Sequence, residues 1–492
     1  MDNRPKRGLR LLQCLLLAAA AVGTLGLSSC HSAQYYYYKF PEYNFAGRPV
    51  PPSKLAQRVM IAMSVNGTTG SLQIVDASRD IRNNVENTIP NFQINGYSDG
   101  MPTNIFNFPA ELRGYVYSTS DGSLVTIDYG AEAAKGPVGT FQSGTNSIAV
   151  PPTFAHFYGA ESNAGVLEII DSKVGGTYDL NIPNVYRVAV NKGDTVVLAM
   201  VRNSDVLYRI FRLNQNQYPT AEAAIAATGS VDCQPLTLPI YCAVAVPGNY
   251  DRPGGVYFSL DGTTAYILNC GAECGGVASS VSLIQQAPLT VDVIPSSPTQ
   301  PNPMISNVPV PGGVTTALSD GTTLYLAGQQ LQSDGLFAGF LSTMNLATNA
   351  ITGKYSISDG THTKMLFADN NTLWIGAQFC ATGERAKLKQ NYNCLTRVVL
   401  GGPSLSAQVL PNVTPGGSAT VPYPNQNNDQ YYYGSLTGIC WVQNFNKVYT
   451  AYGGQVHVFR TTDGSEIDNS LVAVPGTALD VAYMDALTDD AD

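Results

Sequence analysis

Histidine is scarce, four residues in 492, and tryptophan scarcer, with two. Charged residues make up only 13% of the chain, and the formal net charge is −9. These shortages exclude several functions. An acidic chain without basic clusters is a poor match to nucleic acid. No G-x-x-x-x-G-K-[ST] phosphate loop and no C-x-x-C-H haem attachment is present, so no cofactor is expected. No long stretch keeps an apolar period of 3.6, which argues against a helical architecture. After Leu27 no apolar run reaches the length of a bilayer span.

What is present begins with Arg4, Lys6, Arg7 and Arg10, set against Asp2 alone. An apolar run of about 17 residues follows, LLQCLLLAAAAVGTLGL, and then Ser28 and Ser29. A basic start, a short apolar stretch and small residues read as a secretory signal peptide, residues 1–29. Leu27-Ser28-Ser29-Cys30 resembles the lipobox of bacterial lipoproteins. The resemblance implies cleavage before Cys30, which then carries a diacylglycerol thioether and an amide-linked acyl chain. Several acyl chains hold a membrane far more firmly than one, since each buried methylene adds about 0.8 kcal/mol. Losing four bases and one acid moves the formal charge from −9 to about −12. Residues 30–57, with Pro41, Pro49, Pro51 and Pro52, read as a lipidated tether. Tyr35 to Tyr38 suit a collar at the membrane interface.

Setting Cys14 and Cys30 aside leaves seven cysteines. Six fall into sequence-local pairs: Cys233 with Cys242, Cys270 with Cys274, and Cys380 with Cys394. Disulfides are the expectation, because no histidine lies near any pair at metal-ligand spacing. Cys440 is expected to be a buried thiol.

A repeat runs through residues 58–492. A short apolar strand, a turn of Asp, Asn or Gly, and a second β-rich strand recur in VYFSLDGTTAYILN (256–269), TTALSDGTTLYLAG (315–328), KMLFADNNTLWIGA (364–377), RVAVNKGDTVVLAM (187–200) and CWVQNFNKVYTAYG (440–453). Asp-Gly and Asn turns supply the positive φ of tight hairpins. A third alternating strand follows each, giving eight such hairpins. A period of about 50 residues indicates a propeller or solenoid. The expected fold is an all-β propeller of eight blades, or seven if residues 185–215 merge with a neighbour. TALDVAYMDA (477–486) resembles a first strand without a second, and RVMIAMSVNGTTGSLQIVDA (58–77) a second and third without a first. The chain ends are therefore expected to share one blade. The turn pattern resembles the YVTN-repeat, YncE-like family of bacterial propellers, although no unit carries the YVTN tetrapeptide.

Chemistry is sparse. GYSDG (96–100) matches G-x-S-x-G, but Met101-Pro102 follows Ser98 where a nucleophile elbow needs a helix, so it reads as a loop. His31 lies in the tether and His457 in a third strand; His156 and His362 fall where either could approach a central channel. Without adjacent carboxylates they form neither a zinc site nor a triad, and no metal or catalytic residue is assigned. Two stretches suit partner contact: the basic loop with Arg385, Lys387 and Lys389 between Cys380 and Cys394, and Tyr431, Tyr432 and Tyr433 in the long insertion 411–435. The tyrosines could equally pack on a neighbouring blade. The expected function is a lipid-anchored, non-enzymatic binding or scaffold protein of the cell envelope, at the outer membrane, with a protein or glycan partner. The alternative is a propeller hydrolase or lactonase with its site in the channel, which calls for three or more converging acids or asparagines there, or a histidine–acid pair.

Overall fold

The computed structural model describes residues 45, 47–82, 92–98, 100–213, 217–234, 239–295, 300–333, 335–380, 393–402, 404–411, 433–467 and 472–489. Cys30, the signal peptide, Arg385, Lys387, Lys389, Tyr431 and Tyr432 lie outside these residues. The described chain forms eight antiparallel sheets arranged as the blades of a ring. The inner strands of blades one to seven are Pro102–Phe108, Ser147–Ala149, Val185–Val190, Pro253–Phe258, Gly313–Ser319, Thr361–Ala368 and Leu436–Val442. Blade eight takes its inner strand, Thr477–Tyr483, from one chain end and its second and third strands, Arg58–Ser64 and Gly70–Asp76, from the other. Val59 pairs with Tyr483 and Ser64 with Thr477, so the ring is closed as the two terminal half-motifs imply. Residues 185–213 do not merge with a neighbour: they form their own blade, extended to five strands.

Side chains alternate across each strand, and the ring uses both sides. In Arg58–Ser64, Val59, Ile61 and Met63 enter the core shared with blade seven, while Met60 and Ala62 enter the core shared with blade one. The same division recurs around the ring, so a blade is buried by its neighbours and not by a common centre. The tight turns fix the register. Asp320 Oδ1 accepts the N–H groups of Thr322 and Thr323, both at 2.8 Å, and Gly321 takes φ +93°. In blade six Asn370 and Asn371 hold the left-handed conformation that Asp-Gly supplies elsewhere, with φ +63° and +50°.

All three local cysteine pairs are bonded, and Cys440 is buried outside any disulfide. Cys233 and Cys242 are cross-strand partners in blade three, next to the helix Ala221–Thr228 that Thr220 caps. Three disulfides point to an oxidising, extracytoplasmic compartment. Among the described residues no helix is long and apolar enough to cross a membrane. The stretch from Gly47 to Gln57 lies against the closing blade, where Leu55 joins the core and Arg48 donates to the Ala486 carbonyl at 2.6 Å.

Candidate functional site

A ring of this kind has two faces. The lower face carries the turns between inner and second strands, and the upper face those between second and third strands. The axis joins the two.

The inner strands share a feature that the repeat does not announce. In seven of the eight the pairing slips by one residue near the upper end, at Thr103, Tyr186, Gly254, Thr315, Thr363, Thr437 and Leu479. A bulge re-aims the side chain that follows it. Those residues are Asn104, Arg187, Gly255, Thr316, Lys364, Gly438 and Asp480, and two of them reach across a whole blade. Lys364 of blade six meets Asp480 of blade eight at 3.3 Å. It passes Gly438 of blade seven, where a Cβ would stand 2.3 Å from Asp480 Oδ1. Arg187 of blade three donates to the Gly254 carbonyl of blade four and, at 3.1 Å, to the Thr315 carbonyl of blade five. Burial pushes the Asp480 carboxyl up, opposed by Lys364 and the N–H groups of Ile105 and Val481. Burial likewise pulls Arg187 below the usual arginine value. This upper belt holds one acid and one asparagine, Asp480 and Asn104; three further acids, Asp261, Asp320 and Asp489, stand at the lower mouth of the axis.

The reading of the histidines as lacking carboxylates is corrected by the fold. His156 Nδ1 lies 2.5 Å from Asp194, which the turn of the next blade delivers, and its Nε2 lies 3.6 Å from Asp171. Tyr158 donates to the other oxygen of Asp194 at 2.8 Å, and burial beside that carboxylate raises the phenol well above its ordinary value. His457 meets Glu466 at 2.6 Å. His362 is fully buried, its Nε2 2.8 Å from the Ser358 carbonyl, and burial pulls its pKa down to about 4. All three histidines are enclosed, and the His156–Asp194 pair ties blade two to blade three. Asp80 does the same for blades eight and seven, accepting from Tyr449 and from Lys447. Ser98 is in a loop that leads into a strand, as its sequence suggests. No group of three or more metal-ligating side chains suited to an ion occurs among the described residues.

Tyr433 is not a surface contact. It is 4% exposed, stacks on His457 with ring centres 4.3 Å apart, and donates to Glu466 at 2.7 Å. Its packing alternative holds, and the clue in the sequence was its place just before the first strand of blade seven. Beside it, buried Asn393 donates to the Pro411 carbonyl at 2.9 Å and accepts from the Tyr433 N–H at 3.3 Å. One amide thus ties together the roots of the 381–392 and 412–432 segments.

Those roots emerge on the upper face, where exposed apolar side chains gather in consecutive blades. Val277 of blade four is 88% exposed, Leu331 and Phe337 of blade five 51% and 37%, and Phe379 of blade six 65%. Phe379 has φ +58°, rare for a bulky residue, and precedes the Cys380–Cys394 disulfide. Elsewhere on this face the turns are short, and only Val65 of blade eight is comparably exposed among the large apolar side chains described. On the lower face the axis opens into a cavity of about 890 Å³, lined by Lys192, Tyr257, Phe258, Asp261, Phe367 and Trp441 among others.

No protein-family model and no curated protein matches the chain. Among solved structures it is similar to hydrazine synthase of Kuenenia stuttgartiensis, at 12% identity and TM-score 0.44, over 74% of this chain and 96% of that one. It is also similar to the dihydro-heme d1 dehydrogenase NirN, at 11% and 0.47, over 91% and 82%. A third is a candidate 6-phosphogluconolactonase from Bacteroides uniformis, at 12% and 0.41, over 87% and 99%. Likeness at this level carries no inference about chemistry.

Proposed function

We propose that this propeller is a lipid-anchored, YncE-like envelope protein that binds a protein partner on the upper face of blades four to six and carries out no reaction of its own. The carrying observation is the run of exposed apolar side chains from Val277 to Phe379 across three consecutive blades, flanked by the Cys270–Cys274 and Cys380–Cys394 disulfides. Large exposed apolar side chains on one face mark interaction sites, and a segment closed by a disulfide has less entropy to lose on binding. Phe379 in a left-handed conformation fits this reading, because backbone strain concentrates where function demands it. The basic loop with Arg385, Lys387 and Lys389 and the pair Tyr431 and Tyr432 belong to segments rooted at this patch. The described histidines and Asp480 support the same view, since all four are buried within the ring. Anchoring through Cys30 would hold the ring at the outer membrane.

A photocrosslinking residue placed at 379 or 277 in intact cells tests the proposal. Both should give one discrete protein adduct, absent from a probe at exposed Val174 on the opposite face. No adduct at either position, or the same adduct from all three, would overturn it.

A further inference from the structure

The lower-face cavity is separate from that patch, and its chemistry can be read from its walls. Four aromatic side chains border it: Tyr257 and Phe258 from blade four, Phe367 from blade six and Trp441 from blade seven. Each is only partly buried, packing one side into a core between blades. What remains of each ring lines the cavity. Around these rings stand Asp261, Asp320 and Asp489, against one base, Lys192. Asp261 and Asp320 are anchored by their own turns, Asp261 by Ser259 at 2.6 Å and Asp320 by Tyr325 at 3.0 Å. The negative charge is therefore fixed in place. The Trp441 indole N–H is shielded from solvent and has no hydrogen-bond partner. With almost no accessible area, that N–H is not presented to the cavity, which is large enough for a small molecule.

Aromatic faces with a carboxylate rim attract cations, and tryptophan does so best of the aromatic residues. They repel anions and gain nothing from charge with neutral molecules. We infer that this cavity binds a small organic ammonium compound. The site lies on the face opposite the docking patch, so the failure of either proposal leaves the other standing.

Choline and its neutral isostere 3,3-dimethylbutan-1-ol have one shape and differ in charge. Calorimetric titration of the whole mature protein with each tests the charge directly. The fluorescence of Trp441 reports the place, because the other tryptophan, Trp374, is fully buried. Choline should bind saturably and change the emission, with the isostere about tenfold weaker or more. Asp261→Asn with Asp320→Asn keeps the turn-capping oxygens and removes two charges. It should weaken choline about tenfold and leave the isostere unchanged. Trp441→Leu should abolish the fluorescence response and weaken choline in the calorimeter. Failure of both choline and the bulkier benzyltrimethylammonium to bind would overturn the inference. So would equal binding of the neutral isostere, or choline affinity indifferent to both the aspartate pair and Trp441.

Discussion

Replacing Arg58 with alanine should loosen the ring at its one non-covalent closure. The side chain is 3% exposed and stands where blade eight meets blade one. Its Nη2 and Nε grip the two Asp485 oxygens at 2.7 and 3.0 Å. Its Nη1 reaches Glu132 at 3.0 Å and the Tyr129 carbonyl at 2.7 Å. Asp485 follows the C-terminal strand, Arg58 opens the second strand, and Glu132 belongs to blade one, so a single guanidinium joins three segments distant in sequence. Alanine leaves buried Glu132 without its cation and Asp485 with only the more distant Arg48, at 3.5 Å. Breaking such a buried pair costs about 3–5 kcal/mol. With an unfolding entropy of about 2 cal/mol/K per residue, a ring of this size melting as one unit should lose about 3–6 °C in Tm. Arg58→Lys keeps a charge but not the fork, and should fall between. Arg58→Ala with Glu132→Gln should recover part of the loss, since the carboxylate left without a cation is gone. Calorimetry supplies the Tm, and hydrogen exchange shows where the loss acts. Amides of Thr477–Tyr483 should exchange faster than those of Gly313–Ser319, an inner strand across the ring. A Tm drop under 1 °C, or exchange equally fast in both strands, would refute the latch.

His362 should make stability fall with acid. Its folded pKa, about 4, is depressed from the ordinary value of about 6.5, so its contribution is complete above pH 6.5. It is lost as pH falls to 4, by about 3 kcal/mol; His362→Phe should flatten that segment of the unfolding profile, and an unchanged slope counts against the reasoning. Gly438→Ala places a methyl 2.6 Å from the Asp480 backbone and should cost about 1–3 kcal/mol; a variant that melts like wild type would show that the belt is less tight than described. Changing Cys380 and Cys394 together to serine opens a loop of sequence separation 14 and should cost about 3 kcal/mol, and free thiols at both positions on non-reducing peptide mapping would remove the premise. Cys30→Ala should abolish labelling by a clickable fatty acid, and persistent labelling would end the lipobox reading.

Whatever depends on neighbours in sequence could be read in advance. The hairpins, the third strands, the shared blade and the three disulfides all join residues within one or two strands of each other, or strands of recognisable type left over at the ends. Contacts between blades were not legible. His156 and Asp194 are 38 positions apart, and Lys364 and Asp480 are 116. Nothing in a histidine flanked by phenylalanine shows which aspartate turn the next blade will bring. The bulges leave only a partial trace: four of the seven positions are threonine, Thr103, Thr315, Thr363 and Thr437, while Tyr186, Gly254 and Leu479 share no chemistry with them. Tyr433 looks like its two neighbours in sequence, yet it is buried against His457.

The bulges account for how one strand type serves two chemistries. A strand of strict period two would give its sides to the two neighbouring cores from end to end and leave the axis no say. Slipping the phase once near the upper end frees a position for the axis there while the lower part keeps its packing. The upper axis accordingly holds Arg187, Lys364 and Asp480, whose bonds stitch blades three to five and six to eight. The lower axis holds Tyr257, Phe258, Phe367 and Trp441, half in the seams and half in the cavity. Charge that would be expensive in a seam is stabilised at the axis by carbonyls and by its opposite. The lower cavity, spared that stitching, is the end left open to a ligand.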